Sequence, residues 1–330
     1  LQVYRNPGMC GLLLLIPVRV LNMFKTYIRQ HPPGVQLIVF LAFWSALQLL
    51  FLIAVPVVLG SVYQVPSDKL QQFVNEELFQ YPYLLFGLNF ASAFVSFLLP
   101  ALIFAYLADP EPARYLGLQR PVNKRHWLWV ILAGIMLVPS LGILNNWMQA
   151  IDWGSFANEL DQRRAKMLEQ YLQAGNLGRM LLSLFFLALV PAIAEELFFR
   201  AVVFRFAHTW LKKWGLSVVV SSLLFAFYHG TISQFIPIFL AGALLALVYR
   251  YTSSLLLCIL LHFLNNGIGL VISYCSQGST DDMAVSVAVQ VAVFAVATAL
   301  VLLLLFRLKR SQTPLPHNWT VLYTEPQENA

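Results

Sequence analysis

Two adjacent carboxylates and an arginine stand inside an apolar run. Pro191 to Arg200 reads PAIAEELFFR, preceded by the uninterrupted Met180 to Val190 and followed by Ala201, Val202 and Val203. Ionisable side chains at such depth are costly unless paired or turned to a polar cavity, and they mark functional sites. At about 100° per residue, Arg200 stands about 40° round the helix from Glu196 and about 140° from Glu195, so an i,i+4 ion pair forms with Glu196 only. Glu195 is left for another task. Two later histidines sit in apolar runs, each with a partner four residues away: Phe225 with His229 in FAFYH, and His262 with Asn266 in HFLNN. Each couple shares one helix face. The plain alternative is structural, an internal ion pair and two hydrogen-bonded core histidines; three buried polar clusters within 72 residues weigh against it.

If these residues meet, the chemistry is limited. Glutamate, histidine and asparagine include no good nucleophile for an acyl-enzyme route, so an activated water is the attacker. Glu195 takes the proton from that water, His229 holds or polarises it, and His262 with Asn266 stabilises the oxyanion of a tetrahedral intermediate. A second version places zinc on Glu195, His229 and His262, a hydrolytic donor set with an open position for water. It leaves no separate base, because Glu196 is committed to Arg200, and beyond the two glutamates the motif-bearing spans offer no carboxylate to orient the histidines. The expectation is therefore metal-free water activation with no cofactor, zinc being the alternative.

The elements that must position these residues are membrane helices. With 59% hydrophobic and 11% charged residues and a mean hydropathy of +0.70, the chain lies far from soluble proteins, where charged residues make up about 25%. The fold class expected is an all-α polytopic membrane protein of about eight transmembrane helices with the polar site inside the bundle. The spans read as Val35–Leu59, Leu84–Leu107, Trp127–Ile151, Leu177–Arg200, Leu216–His229, Phe235–Tyr249, Leu255–Tyr274 and Ala284–Phe306, the fifth and sixth being short. Residues 1–34 read as an interfacial segment rather than a signal peptide, 35–306 as the membrane domain with its motif-bearing core at 177–274, and 311–330 as a disordered cytoplasmic tail. Cys10, Cys258 and Cys275 form no CxxC and suggest neither a disulfide framework nor a thiolate metal site.

Lysine and arginine set the orientation. With the N-terminus inside, 16 basic residues fall in inner segments, Arg200 and Arg205 among them, and 5 in outer ones, which places both termini in the cytoplasm. This topology, rather than nucleic-acid binding, accounts for the net charge of +6; the partner is the bilayer. The outer loop Asp152 to Gly175 contains an amphipathic helix with Leu160, Met167, Leu168 and Tyr171 apolar, expected to be solvated or interfacial rather than a lid. Measured from Arg205, Lys213 and Arg250 as inner-boundary markers, Glu195 lies about 15 Å deep, His262 about 18 Å and His229 about 24 Å. Convergence then requires tilted spans.

The motif set resembles that of the CPBP, or Abi, family of intramembrane proteases, which includes the type II CAAX prenyl endopeptidases. Their pattern is EExxxR, FxxxH and HxxxN on successive helices, matched here by Glu195–Glu196 with Arg200, Phe225 with His229, and His262 with Asn266. The resemblance implies peptide-bond hydrolysis in the membrane plane, with Glu195 and His229 activating water and His262 and Asn266 as oxyanion partners. It implies a peptide or protein substrate, lipidated or not. Without a eukaryotic targeting signal the frame looks bacterial, so the expected location is a bacterial inner membrane. The alternative functions are a non-catalytic scaffold or bacteriocin-immunity protein, or a proton-coupled transporter. A scaffold needs neither Glu195 nor Asn266, and a proton path needs no HxxxN donors.

Overall fold

The structure, a computed structural model, describes residues 28, 31–109, 111–118, 123–172, 176–276 and 286–313, without the side chains of 71, 75, 76, 79 and 114. The expectations for residues 1–27 and for 314–330 lie outside the described residues. Ser311 and Thr313, at the start of the expected tail, are hydrogen-bonded: the His126 ring bonds Ser311, and the amide of Thr313 donates to the carbonyl of Tyr251 at 2.8 Å.

Every regular element among the described residues is helical. The main helices are α1 (Pro33–Tyr63), α2 (Pro82–Ala108), α3 (Arg125–Gln149), α4 (Ser155–Leu172), α5 (Leu177–Leu211), α6 (Trp214–Tyr228), α7 (Phe235–Thr252), α8 (Leu255–Ser276) and α9 (Val287–Arg310). All but α4 and α6 are long and apolar enough to cross a bilayer, seven candidate spans in all. Helix α6, the short fifth span, has 15 residues. At about 1.5 Å per residue it rises about 22 Å, less than the roughly 30 Å hydrocarbon core. The sixth span, expected to be short, reaches 18 residues.

The fourth span departs most from expectation. Instead of ending at Arg200 it continues to Leu211. Arg200 and Arg205, counted above as loop charges, lie inside this helix and are each 1% exposed. Arg200 is neutralised by a carboxylate, while Arg205 stacks its guanidinium on the Tyr115 ring, 3.8 Å from the centroid, a contact that lets the side chain leave water. Neither reports a membrane boundary. With both set aside, fourteen inner basic residues remain against five outer ones.

Packing follows membrane rules, where close backbone approach and internal polar contacts replace hydrophobic driving force. Helix α9 lies on α3, α8 on α3 and α5, α6 on α7, and α5 on α2. An added Cβ on Gly242 of α7 would come within 3.1 Å of Phe225 and 3.3 Å of the Ser222 backbone on α6, so a larger residue would push α6 back by a few tenths of an ångström. Rings of Phe40, Phe97 and Phe198 join α1, α2 and α5 at 5.2 to 5.3 Å between centroids, offset geometries that favour ring pairs. Leu52 (70% exposed), Ile38 and Leu302 form part of the outward apolar face.

The amphipathic loop helix is α4, and its packed side includes Ala157, Tyr171 and Leu172. The Tyr171 hydroxyl donates to the carbonyl of Leu85 at 3.2 Å, and burial pushes its pKa up to about 12. Arg179, at the start of α5, donates to the carbonyls of Gln170 and Tyr171. The helix is tied to the bundle rather than loose at the interface.

Candidate active site

Helix α5 presents the glutamates between two widened, π-type turns, Leu184–Leu189 and Phe199–Val203. Pro191 has no N–H to return and its ring presses on the preceding turn, which the first widening absorbs. The ordinary α-helical turns between them carry Glu195 and Glu196.

Glu196 is fully buried. Its Oε1 lies 3.0 Å from Arg200 Nη1, the ion pair that the helix angles require. The same oxygen accepts from His262 Nδ1 at 2.8 Å. The reading that commits Glu196 to Arg200 alone is therefore corrected: one carboxylate serves an arginine on its own helix and a histidine on α8. Arg200 Nη2 also donates to the Gly242 carbonyl at 3.2 Å, and the Phe225 ring lies 4.6 Å from its guanidinium.

His229 closes α6. Its Nδ1 donates to the Phe225 carbonyl at 2.8 Å, and the Phe225 ring lies 4.6 Å from the His229 ring and 5.9 Å from that of His262. The four-residue spacing thus has a local use, since the His229 ring reaches back to a carbonyl at the end of α6, where the last carbonyls lack helical N–H partners. At that end Gly230 takes a left-handed φ of +59°, and Arg164 of α4 donates to the carbonyl of His229. Burial pushes the pKa of Arg164 down, with Asp161 opposing.

Both histidines have Nδ1 engaged, so both turn Nε2 toward Glu195. Glu195 Oε2 lies 3.9 Å from His229 Nε2 and 4.0 Å from His262 Nε2, is buried, and has no hydrogen-bond partner among the described residues. The two histidines, though not Glu195, line a cavity of about 80 Å3 together with Asn265, Asn266 and Ala241. That is well above the roughly 10–15 Å3 needed for one water. Asn265 Nδ2 donates to Asn266 Oδ1 at 3.2 Å, which leaves the Asn266 NH2 as its free donor. The depth mismatch of His229 disappears because α6 is short and the boundary marker on α5 is buried.

Glu195, His229 and His262 meet, Asn266 lines the same cavity, and Glu196 and Arg200 pair as the spacing requires. Three contributors were missed. The Gly242 carbonyl and Arg164 act from other helices and have no spacing signature. Asn265 was legible as a second asparagine in HFLNN but lies off the i,i+4 face.

The donors suit zinc, and the expected lack of orienting partners is overturned, since Glu196 holds His262 and the Phe225 carbonyl holds His229. Spacing is the difficulty. Ligands at about 2.0–2.1 Å in a tetrahedral site stand about 3.3 Å apart, whereas these donors would have to close by roughly 0.6 Å. Among the described residues no group of three or more His, Cys, Asp or Glu side chains is close enough to hold a metal ion. At this spacing the donors stand wider apart than zinc ligands do, and a water at about 2.8 Å from each fits between them.

These features define a class, an all-α polytopic membrane protein whose bundle encloses a glutamate, histidine and asparagine centre. Its core, residues 177–268, matches the profile of the type II CAAX prenyl endopeptidase Rce1-like family. The chain is also similar to the "Membrane-embedded CAAX protease MroQ" of Staphylococcus aureus (strain USA300), 32% identical over 90 residues. That alignment covers 26% of this chain and 36% of the relative. No solved structure matches.

Proposed function

We propose that this chain is an intramembrane endopeptidase that hydrolyses a peptide bond with a water activated by Glu195. One observation carries the reading: the unpartnered, buried Oε2 of Glu195 faced by the Nε2 atoms of two histidines whose Nδ1 atoms are both engaged. Neutral His229 donates from Nδ1 to a carbonyl, so its Nε2 carries a lone pair. A water between Glu195 and His229 gives one hydrogen to each and keeps a lone pair for attack. Glu195 takes the proton as the bond to the carbonyl carbon forms. For His262 to donate from Nε2 its ring must hold both protons, and the Glu196 carboxylate at Nδ1 is the partner such a ring needs. His262 and Asn266 then receive the oxyanion. The proton on Glu195 passes to the departing amine as the C–N bond breaks.

The substrate class is a peptide or protein segment presented in the bilayer, lipidated or not. In this reading both termini face the cytoplasm and the membrane is a bacterial inner membrane; the basic-residue asymmetry supports the orientation. The scaffold, immunity and transporter readings give no reason for the hydrogen bonds that point both rings at Glu195.

The test is Glu195→Gln in purified protein, against fluorogenic octapeptides with and without a farnesyl group. Hydrolysis should fall by about 10²–10⁴-fold, with the melting temperature unchanged because Oε2 makes no hydrogen bond. Full activity in this variant would sink the mechanism.

A further inference from the structure

The cavity at the histidines continues sideways. A second cavity of about 240 Å3 lies between α3, α7 and α8, and shares Ile238, Ala241 and Asn265 with the first. Besides Asn265, its polar lining is Asn145 near the end of α3 and Gln234, the residue before α7. Three carboxamides from separate elements thus line one groove that runs to His262 and Asn266. The side chains of Asn145 and Gln234 bond no other described residue, and Asn265 donates only to Asn266.

Carboxamides in a membrane bundle are expensive unless they meet a polar partner. A carboxamide offers one acceptor and one donor group side by side, as a peptide unit does. A segment drawn from the bilayer must unwind before water can reach its carbonyl carbon, and its N–H and C=O groups then have no lipid partner. The walls between the carboxamides, Val138, Leu141 and Ile238, are apolar and suit apolar side chains.

We infer that this groove binds an extended, apolar peptide segment through its backbone, with Asn145, Gln234 and Asn265 pairing its N–H and C=O groups as it leads to Glu195. The inference rests on the endopeptidase reading and assigns that site its approach side. Selection along the groove is then by backbone accessibility and apolar character rather than by a particular side chain.

The experiment uses the full chain in detergent with Glu195→Gln to prevent turnover. A photoreactive benzophenone residue replaces Val138 in the groove or, as control, Leu132 on the lipid-facing side of α3, which is 40% exposed. The probe is a fluorescent pool of octapeptides of Leu, Ala, Val and Phe, compared with the same pool N-methylated along the backbone. Capture at position 138 should exceed capture at 132 at least tenfold, and N-methylation should remove most of it. Asn145→Leu together with Gln234→Leu should reduce capture of the plain pool to the N-methylated level, with the melting temperature not lowered. Equal capture of the two pools, no capture at 138, or indifference to the leucine changes in folded protein overturns the inference. Should the leucine variant fail to fold, the N-methyl comparison decides alone. Backbone-dependent capture by a wild-type chain that cleaves no peptide keeps the groove and removes the enzyme reading; cleavage without such capture does the reverse.

Discussion

Glu196→Gln isolates one charge in the centre of the bundle. The amide keeps an oxygen where Oε1 accepts from His262 at 2.8 Å and faces Arg200 at 3.0 Å, so the shape and the hydrogen bond to His262 survive while the negative charge is lost. Both partners of the ion pair are at most 1% exposed. At an effective dielectric of about 20, unit charges 3.0 Å apart attract by about 5 kcal/mol. Removing one member of a buried pair costs about 3–5 kcal/mol. Arg200 keeps the Gly242 carbonyl and the Phe225 ring, which argues for the lower end, about 3 kcal/mol. At about 2–4 °C per kcal/mol, the melting temperature should fall by roughly 6–12 °C. Tryptophan fluorescence of purified protein in detergent, heated at one fixed rate, reads it. Adding Arg200→Met removes the stranded cation and should restore most of the loss, because apolar replacement of both members is often neutral or stabilising. A single variant melting within about 1 °C of wild type, or a double variant falling by the sum of the two singles, would refute the reasoning that an uncompensated guanidinium is what hurts.

Three further outcomes are expected. Peptide hydrolysis should survive chelation, and elemental analysis of active enzyme should find no stoichiometric metal; zinc whose removal abolishes activity, restored on re-addition, would overturn the metal-free assignment. Arg164→Gln should lower kcat with little change in KM, because Arg164 holds the His229 carbonyl at the end of α6, and cost about 1 kcal/mol of stability through the lost helix-end charge; Arg164→Lys should recover part of the rate, and an unchanged kcat in the glutamine variant would remove its positioning role. In cells, Asp281→Cys should react with a membrane-impermeant thiol reagent applied from outside and Gln312→Cys should not; the reverse pattern would invert the topology.

The ion pair was legible in the sequence because it is local: four residues on one helix fix the angle between Glu196 and Arg200, whatever surrounds them. The membrane class was legible because lipid demands long apolar helices, and the family resemblance because its three motifs stand in order. The FxxxH and HxxxN couples were visible as spacings, but the work of Phe225, a carbonyl for one ring and an aromatic floor for Arg200, was not. Only the tertiary structure decided that Glu196 also holds His262, 66 residues away, since a hydrogen bond between α5 and α8 leaves no periodicity in either. It also decided that Arg205 is no boundary marker. Charge in a sequence implies water, and only the stacked Tyr115 ring, from the segment between α2 and α3, shows that this arginine has left it. The meeting of Glu195, His229 and His262 is of the same kind, because helix length, tilt and the glycine contact between α6 and α7 set how far each side chain reaches, and these are properties of the packed bundle.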